Sequence, residues 1–177
     1  LSSNFRKNIE KEIRAKGEKV WNLFQRGLKI AYAYHGDGFR NGRWHGNLLF
    51  APLYFLFDKL IFKKVRQGFG GRLRFFVGGG ALLDIDYQKF FTAIGIPVYQ
   101  GYGLTEAAPI ISANCPGSQK MGSSGKIVPH LQISIRNDDD EELPTGVSGE
   151  IVVKGENVMK EYWNNPEATR ETIKDGW

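Results

Sequence analysis

Residues 73–106, LRFFVGGGALLDIDYQKFFTAIGIPVYQGYGLTE, contain two short apolar segments that each run into glycines. The first segment, 73–77, is followed by three glycines, and the second, 96–99, is followed by the run QGYGLTE. Short apolar runs rich in β-prone residues are typical of buried strands. Between them, Asp84 is a good helix N-cap, and Gly95 is a natural residue to end that helix. The pattern predicts a βαβ unit whose two strands are parallel and end in glycine turns.

The run of residues 100–106, QGYGLTE, combines an accessible backbone with polar chemistry. Its two glycines allow a flat ligand to approach the backbone, and the tyrosine between them offers an aromatic face. Thr105 and Glu106 then supply a hydroxyl and a carboxylate, which are the hard oxygen ligands that suit Mg²⁺ with a nucleotide phosphate. In open α/β sheets, ligands bind outside the carboxyl ends of the strands. A purely structural interpretation, a glycine turn with Thr105 capping a helix, fits the local chemistry equally well.

Two helical regions are predicted before the first strand. Apolar residues at helical spacing over residues 5–31 indicate one long amphipathic helix, or two helices broken near Gly17, with the apolar stripe packed on the sheet. Residues 35–46 are polar and glycine-rich and predict a loop, and Pro52 can begin the next helix. The inward-facing residues predicted for that helix are Leu53, Phe57, Leu60, Ile61 and Val65.

Beyond Pro116 the pattern changes to short runs typical of antiparallel strands. Apolar residues alternate, or nearly so, over residues 128–135, and a second apolar run occupies residues 151–153, with a polar turn at 137–140. Asn165 followed by Pro166 and Glu167 predicts a short helix, because an N-cap, a proline and an acid occupy its first positions.

The predicted fold is therefore α/β: a parallel βαβ-type sheet with flanking helices, followed by a small antiparallel β subdomain. We expect residues 1–116 to form the α/β subdomain and residues 117–177 the β-rich one. The hydrophobic content of 41% is sufficient to build a core for such a fold.

Several motifs, in order, resemble the adenylate-forming superfamily of acyl-CoA synthetases, luciferases and peptide-synthetase adenylation domains. They are Gly79-Gly80-Ala81, the run QGYGLTE, and GEIVVKGENVMKEYWNNPEATRETIKDGW at residues 149–177. Residues 73–81 and the basic helical stretch before them are most similar to the long-chain fatty acid CoA ligase branch. One departure is Glu161, where the family pattern usually has glycine.

The resemblance implies the activity and the fold of the acyl-CoA synthetase N-terminal domain. Family enzymes let a carboxylic acid attack the α-phosphate of ATP·Mg²⁺, which gives an acyl-adenylate and pyrophosphate, and the coenzyme A thiol then displaces AMP. The resemblance thus implies a segment of an ATP-dependent long-chain fatty acid–CoA ligase, with Mg²⁺ as cofactor and ATP, a long-chain fatty acid and coenzyme A as substrates.

Carried over by position, the resemblance also implies the site. The nucleotide-binding residues would be Gly79, Gly80 and Ala81 at the adenine pocket, Gln100 and Gly101 at adenine or the acyl-adenylate, Tyr102 stacked on the base, Gly103 and Leu104 beside it, and Thr105 at the phosphate. Glu106 would bind Mg²⁺, and Thr105 and Glu106 would be the catalytic pair.

Two other interpretations stay open. Within the family, the acid could be shorter or aromatic, because the sequence does not set the acyl chain length. From another class, the chain could be a non-catalytic basic module that binds a membrane or a partner. Residues 1–76 carry 16 Lys and Arg residues against 5 Asp and Glu residues, an asymmetry that suits an anionic membrane surface or a simple solvated helix face. No nucleic-acid motif accompanies the charge, so we expect no nucleic-acid partner.

The remaining expectations concern location and extent. Cys115 is the single cysteine, so no internal disulfide can form, and a cytoplasmic protein, with at most peripheral membrane contact through its basic N-terminal helices, is expected. A metal site at His35 and His45 is not favoured, because no cysteine and no nearby carboxylate pair lies at ligand spacing. The start at Leu1 and the end at Trp177 suggest a segment of a longer protein. Its phosphate loop, ribose-binding aspartate and catalytic lysine would lie outside residues 1–177, so the isolated segment is expected to be inactive.

Overall fold

The computed structural model describes residues 2–36 and 47–177. Most of the predicted loop at residues 35–46, including His45, lies outside the described residues. The helices are α1 (Ser2–Ala15), α2 (Glu18–His35), α3 (Ala51–Phe57), α4 (Lys63–Gly68), α5 (Ile85–Ala93) and α6 (Pro166–Thr172); the strands are β1 (Phe76–Gly78), β2 (Val98–Gly103), β3 (Ile110–Ala113), β4 (Lys126–Ile127), β5 (Leu131–Arg136) and β6 (Glu150–Gly155).

The described strands form two sheets, one mixed and one antiparallel. In the first, with strand order β1-β2-β3-β4, β1 and β2 are parallel, and Phe76 lies beside Val98. In the second sheet β5 and β6 are antiparallel, with Leu131 beside Gly155 at one end and Arg136 beside Glu150 at the other. Both the parallel βαβ unit and the antiparallel hairpin predicted from the sequence are therefore confirmed. The division into residues 1–116 and 117–177 stays a prediction, and the first sheet extends past it to β4.

The N-terminal helices break where the sequence predicted. Gly17 has φ of 103°, a left-handed conformation that favours glycine, and it separates α1 from α2. The apolar stripe packs mainly on other helices, since α2 lies against α3 and α5, while the Phe5 ring reaches the Phe76 ring of β1. None of the helices within residues 2–36 and 47–177 combines the length and the hydrophobicity needed to cross a membrane.

A large aromatic core holds this helical layer on the sheet. Phe24 of α2, Phe62, and Phe90 and Phe91 of α5 are fully buried, and their rings meet edge to face in successive pairs. Such pairs stabilise a core beyond the area that they bury. Asp84 caps α5 as predicted, because its side chain accepts a hydrogen bond from the Asp86 backbone.

The prediction of inward-facing residues in the next helix is wrong in part. Leu53 and Leu60 are exposed, whereas Tyr54, Ile61 and Phe62 are buried. For Leu60 the reason is a π-helical turn at Asp58–Phe62 between α3 and α4, whereas Leu53 lies before that turn. This turn takes one residue more than an α-helical turn, so the side of the helix that meets the core shifts along the sequence.

The predicted limits of the two parallel strands are also wrong. β1 begins at Phe76 rather than at residue 73, and it includes Gly78. β2 runs from Val98 to Gly103, so the glycines expected in a turn lie inside the strand. The close approach of β3 at Gly101 and of Pro109 at Gly103 explains why glycine is required at both positions.

Candidate functional site

The side chain of Gln100 joins the two glycine-containing motifs. The parallel pairing of β1 and β2 places Gly78 beside Gln100. The Gln100 amide Nε2 donates a hydrogen bond to the carbonyl oxygen of Ala81 (2.9 Å), and its Oε1 accepts one from the backbone N–H of Leu83 (3.1 Å). With Gln100 only 2% exposed, these bonds satisfy a buried amide and hold the turn after β1 against β2.

This role of Gln100 was not foreseen, since the resemblance implied contact with adenine or the acyl-adenylate. That contact stays a prediction, while the backbone bonds to residues 81 and 83 are what the described chain provides. One signal in the sequence could have indicated this role. Gln100 is a long amide side chain in a predicted buried strand, and the neighbouring strand is followed by a tight glycine turn.

The turn after β1 presents bare backbone. Gly79, Gly80 and Ala81 are all exposed. Gly80 has φ of 83°, so glycine is required there by conformation. A Cβ added at Gly79 would meet no atom of the described chain within 4 Å. Its surroundings therefore leave space for a ligand next to the backbone.

The glycines of β2 occupy a crowded strand. A Cβ at Gly101 would lie 3.2 Å from the carbonyl oxygen of Ser112, and one at Gly103 would lie 1.8 Å from the carbonyl oxygen of Pro109. The register between β2 and β3 shifts between Tyr102 and Gly103. The close approach of the chain at Pro109 and of β3 thus accounts for both glycines.

Tyr102 and Leu104 pack against a second, smaller apolar cluster. Its buried members among the described residues are Ala107, Ile111 and Val153, so it connects β3 with the β5–β6 hairpin. Tyr102 is half-buried. Stacking of its ring on a base stays a prediction.

Thr105 does not cap a helix. A short 3₁₀ turn occupies Thr105–Ala107, and the residue at its N-cap position is Leu104, whose side chain makes no capping bond. The alternative in which Thr105 serves only as a helix cap is therefore wrong. The Thr105 side chain is exposed at the end of the strand.

The carboxylate of Glu106 is held by a residue far away in the sequence. The hydroxyl of Tyr162 donates a hydrogen bond to Glu106 Oε1 at 2.8 Å, and the backbone N–H of Met159 donates to the Glu106 carbonyl oxygen at 2.7 Å. The hydrogen bond from Tyr162 lowers the pKa of the Glu106 carboxyl and raises the pKa of the Tyr162 phenol. Glu106 is thus ionised, and Tyr162 a donor, at neutral pH.

Tyr162 is a site residue that sequence reasoning missed. It lies in the run of residues 149–177 that resembles a family block, but the pattern alone does not indicate which earlier residue it contacts. Pairing it with Glu106 would require knowing that residues 157–162 lie along the 3₁₀ turn at Thr105–Ala107.

The donor set at Glu106 fits a magnesium ion. The carboxylate is ionised and half-exposed, and the preceding residue in the chain, Thr105, is exposed. Within the described ranges, no group of three or more His, Cys, Asp or Glu side chains could hold a metal ion. A cation at Glu106 would therefore complete its shell with ligands such as substrate phosphate oxygens and water, a set that Mg²⁺ favours.

A cleft of about 320 Å³ gives access to this carboxylate. Its lining includes Leu104, Glu106, Met159, Lys174 and Trp177. The side chains of the acidic turn at residues 137–141 bond to one another and to the end of β5. Asn137 contacts Glu141, and Asp140 pairs with Arg136 at 2.9 Å.

Comparison with known proteins gives the family. The family described as AMP-binding enzyme matches residues 25–163. The long-chain-fatty-acid–CoA ligase of Haemophilus influenzae is 41% identical over 108 residues, or 59% of this chain and 19% of that protein. Feruloyl-CoA synthase of an Amycolatopsis species is 40% identical over 107 residues, or 59% of this chain and 22% of that protein.

A solved structure agrees with the fold. O-succinylbenzoate coenzyme A synthetase from Bacillus subtilis, in complex with ATP and magnesium ion, matches with a TM-score of 0.54 and 34% identity over 59% of this chain and 22% of that one. The chain spans about a fifth of the length of the curated relatives it matches. It belongs to the AMP-binding enzyme family, within the adenylate-forming superfamily that its motifs resemble.

Proposed function

We propose that this chain is part of an acid–CoA ligase that activates a carboxylic acid with ATP. The acid attacks the α-phosphate to give an acyl-adenylate and pyrophosphate, and the thiol of coenzyme A then displaces AMP. The observation that carries the proposal is the Gln100 side chain, which holds the bare turn at residues 79–81 against β2. Two motifs that are separate in the sequence thereby form one surface.

Chemistry of this kind depends on positioning and on charge stabilisation. The exposed backbone of Gly79 and Gly80 is suited to lie against the flat face of a nucleotide base, because no side chain intervenes. We propose that this turn, with Ala81, lines the adenine pocket and that the Tyr102 ring stacks on the base. Gln100 contributes by fixing the turn, and Gly101 borders the acyl-adenylate.

We propose that Thr105 and Glu106 act on the phosphates. Magnesium, when bound, would neutralise negative charge on the phosphate oxygens. Glu106 is suited to hold it because the Tyr162 hydroxyl keeps the carboxylate ionised and oriented. The exposed Thr105 hydroxyl is free of a capping role and is suited to donate to a phosphate oxygen.

We propose a long-chain fatty acid as the substrate. The support is the similarity to long-chain ligases together with the basic helices before residue 73, which resemble that branch. Feruloyl-CoA synthase matches almost as well, so an aromatic acid is the second candidate.

The test is acid-dependent exchange of pyrophosphate into ATP, measured on the intact protein with palmitate, butyrate and ferulate in parallel. Palmitate should support the fastest exchange, and Glu106→Gln should lower it about a hundredfold, because losing a charged magnesium ligand costs several kcal/mol. A preference for ferulate would establish the aromatic alternative instead. Absence of exchange with every acid, combined with salt-sensitive binding to anionic vesicles that nucleotide does not change, would favour a non-catalytic basic module.

A further inference from the structure

We propose that Tyr162 is a positioning residue for the Glu106 carboxylate and thereby sets the affinity of the site for its divalent cation. The proposal rests on the function proposed above, since it concerns the same carboxylate. Its basis is the 2.8 Å hydrogen bond from the Tyr162 hydroxyl to Glu106 Oε1, which links residues 56 positions apart.

Neighbouring hydrogen bonds to the backbone around Glu106 support this contact, so it is not an isolated bond between two surface side chains. The Met159 N–H donates to the Glu106 carbonyl oxygen at 2.7 Å, and Asn157 Nδ2 donates to the Ala107 carbonyl oxygen at 2.7 Å. Val158 packs against the second apolar cluster beside Leu104. The segment from Asn157 to Tyr162 therefore lies along the 3₁₀ turn that carries Glu106.

Tyr162 itself is fixed from the other side by α6. Its backbone N–H donates to Thr169 Oγ1 at 3.0 Å, and the same hydroxyl donates to the Asn165 carbonyl oxygen at 2.8 Å. The side chain of Asn165 in turn caps α6 by accepting from the Ala168 N–H. The first turn of α6 thus determines where the Tyr162 phenol lies relative to Glu106.

The Glu106 carboxylate can accept the hydrogen bond from Tyr162 and still contact a cation. Oε1 accepts the hydrogen bond, and among the described residues no other side chain bonds to Glu106. The Glu106 backbone N–H also bonds to the carboxylate, which is half-exposed and therefore accessible to a cation while the phenol restricts its rotation. Residues that orient a metal ligand from behind typically change metal affinity by about 10- to 100-fold when they are removed.

The variant that tests this bond is Tyr162→Phe, which keeps the ring and removes the hydroxyl together with its interaction with Thr172. The matched control is Tyr87→Phe on α5, because Tyr87 lies outside the site and the change leaves its ring beneath Arg6. The readout is binding of Mn²⁺ to the intact protein with α,β-methylene-ATP, followed by electron paramagnetic resonance, alongside the Mg²⁺ concentration that gives half-maximal exchange.

We expect Tyr162→Phe to weaken Mn²⁺ binding about tenfold and to raise the required Mg²⁺ concentration by a similar factor, at the lower end of the range for such residues. The melting temperature and the rate at saturating Mg²⁺ should stay near those of Tyr87→Phe. In a Glu106→Gln background the same change should have almost no further effect on Mn²⁺ binding, because the two residues act through one contact.

Two results would overturn the proposal. One is wild-type Mn²⁺ affinity in a folded Tyr162→Phe protein. The other is an equal loss of affinity whether or not Glu106 is present, which would mean that the hydroxyl acts elsewhere. Either can occur while the wild-type protein and Tyr87→Phe still catalyse exchange, so the proposed function would stand. Absence of acid-dependent exchange in the wild type would instead remove the proposed function, and this proposal with it.

Discussion

The glycines after β1 and the glycines within β2 belong to similar sequence motifs, but their surroundings differ. A Cβ at Gly79 would enter open space, whereas one at Gly103 would lie 1.8 Å from a backbone oxygen. The second motif needs glycine because the folded chain leaves no room for a side chain. Nothing in the described chain fills the space at Gly79, and the function proposed above uses that space for a ligand. A glycine-rich motif therefore has to be interpreted residue by residue.

The largest effect should come from Gly103→Ala. Its new methyl group would overlap the Pro109 carbonyl, and the strand would have to move because backbone atoms cannot rotate away. We expect a loss of about 3 kcal/mol or more in the free energy of unfolding, at the upper end for overpacked sites. Urea unfolding of the intact protein, followed by tryptophan fluorescence, measures it. A loss below about 0.5 kcal/mol, the range of ordinary surface changes, would contradict the comparison.

A smaller effect is expected at Tyr102, which lies between the two glycines of β2. Tyr102→Ala should weaken ATP binding by about 1 kcal/mol or more, because base stacking on the ring is lost. Tyr102→Phe should bind ATP almost as the wild type does, since the ring remains. Calorimetric titration of the intact protein with ATP·Mg²⁺ distinguishes them. Unchanged affinity in a folded alanine variant would exclude Tyr102 from the base site and leave it a packing residue of the second cluster.

The smallest effect on stability should come from Gly79→Ala, the matched control for Gly103→Ala. The added methyl group meets no atom within 4 Å, so the free energy of unfolding should change by no more than about 0.5 kcal/mol. ATP affinity should nevertheless fall about threefold, which is roughly 0.65 kcal/mol. If stability falls as far as in Gly103→Ala, then the space at Gly79 does not distinguish the two motifs.

Much of the fold follows from local signals in the sequence. Asp84 and Asn165 cap helices as predicted, because an N-cap depends only on a side chain and the next few residues. Gly17 breaks the first helical region for a similarly local reason. The parallel pairing of β1 with β2 also follows, because a helix between two strands forces the chain to cross over.

The features that sequence reasoning missed depend on residues far apart. Whether Gly101 and Gly103 form a turn or a strand is decided by β3 and the chain leading into it, which approach them. The π-helical turn at Asp58–Phe62 changes which residues face the core, and an apolar pattern at normal helical spacing does not reveal it. The site shows the same dependence on distant residues. The motif includes Gln100 and Glu106, but the backbone that Gln100 binds and the phenol that binds Glu106 are brought to them only by folding.

The unequal size of the two apolar clusters has a consequence for the motions of the site. The helical layer has a core of fully buried aromatic rings, whereas the cluster between β3 and the β5–β6 hairpin buries, among the described residues, only Ala107, Ile111 and Val153. Regions with few buried contacts open at lower free energy than the rest of a protein. Transient opening of the hairpin side would separate Tyr162 from Glu106 while α5 and β1 remain folded. Amide exchange should therefore be faster in β6 than in α5, and the Glu106 carboxylate would be periodically released from the Tyr162 phenol even in the native protein.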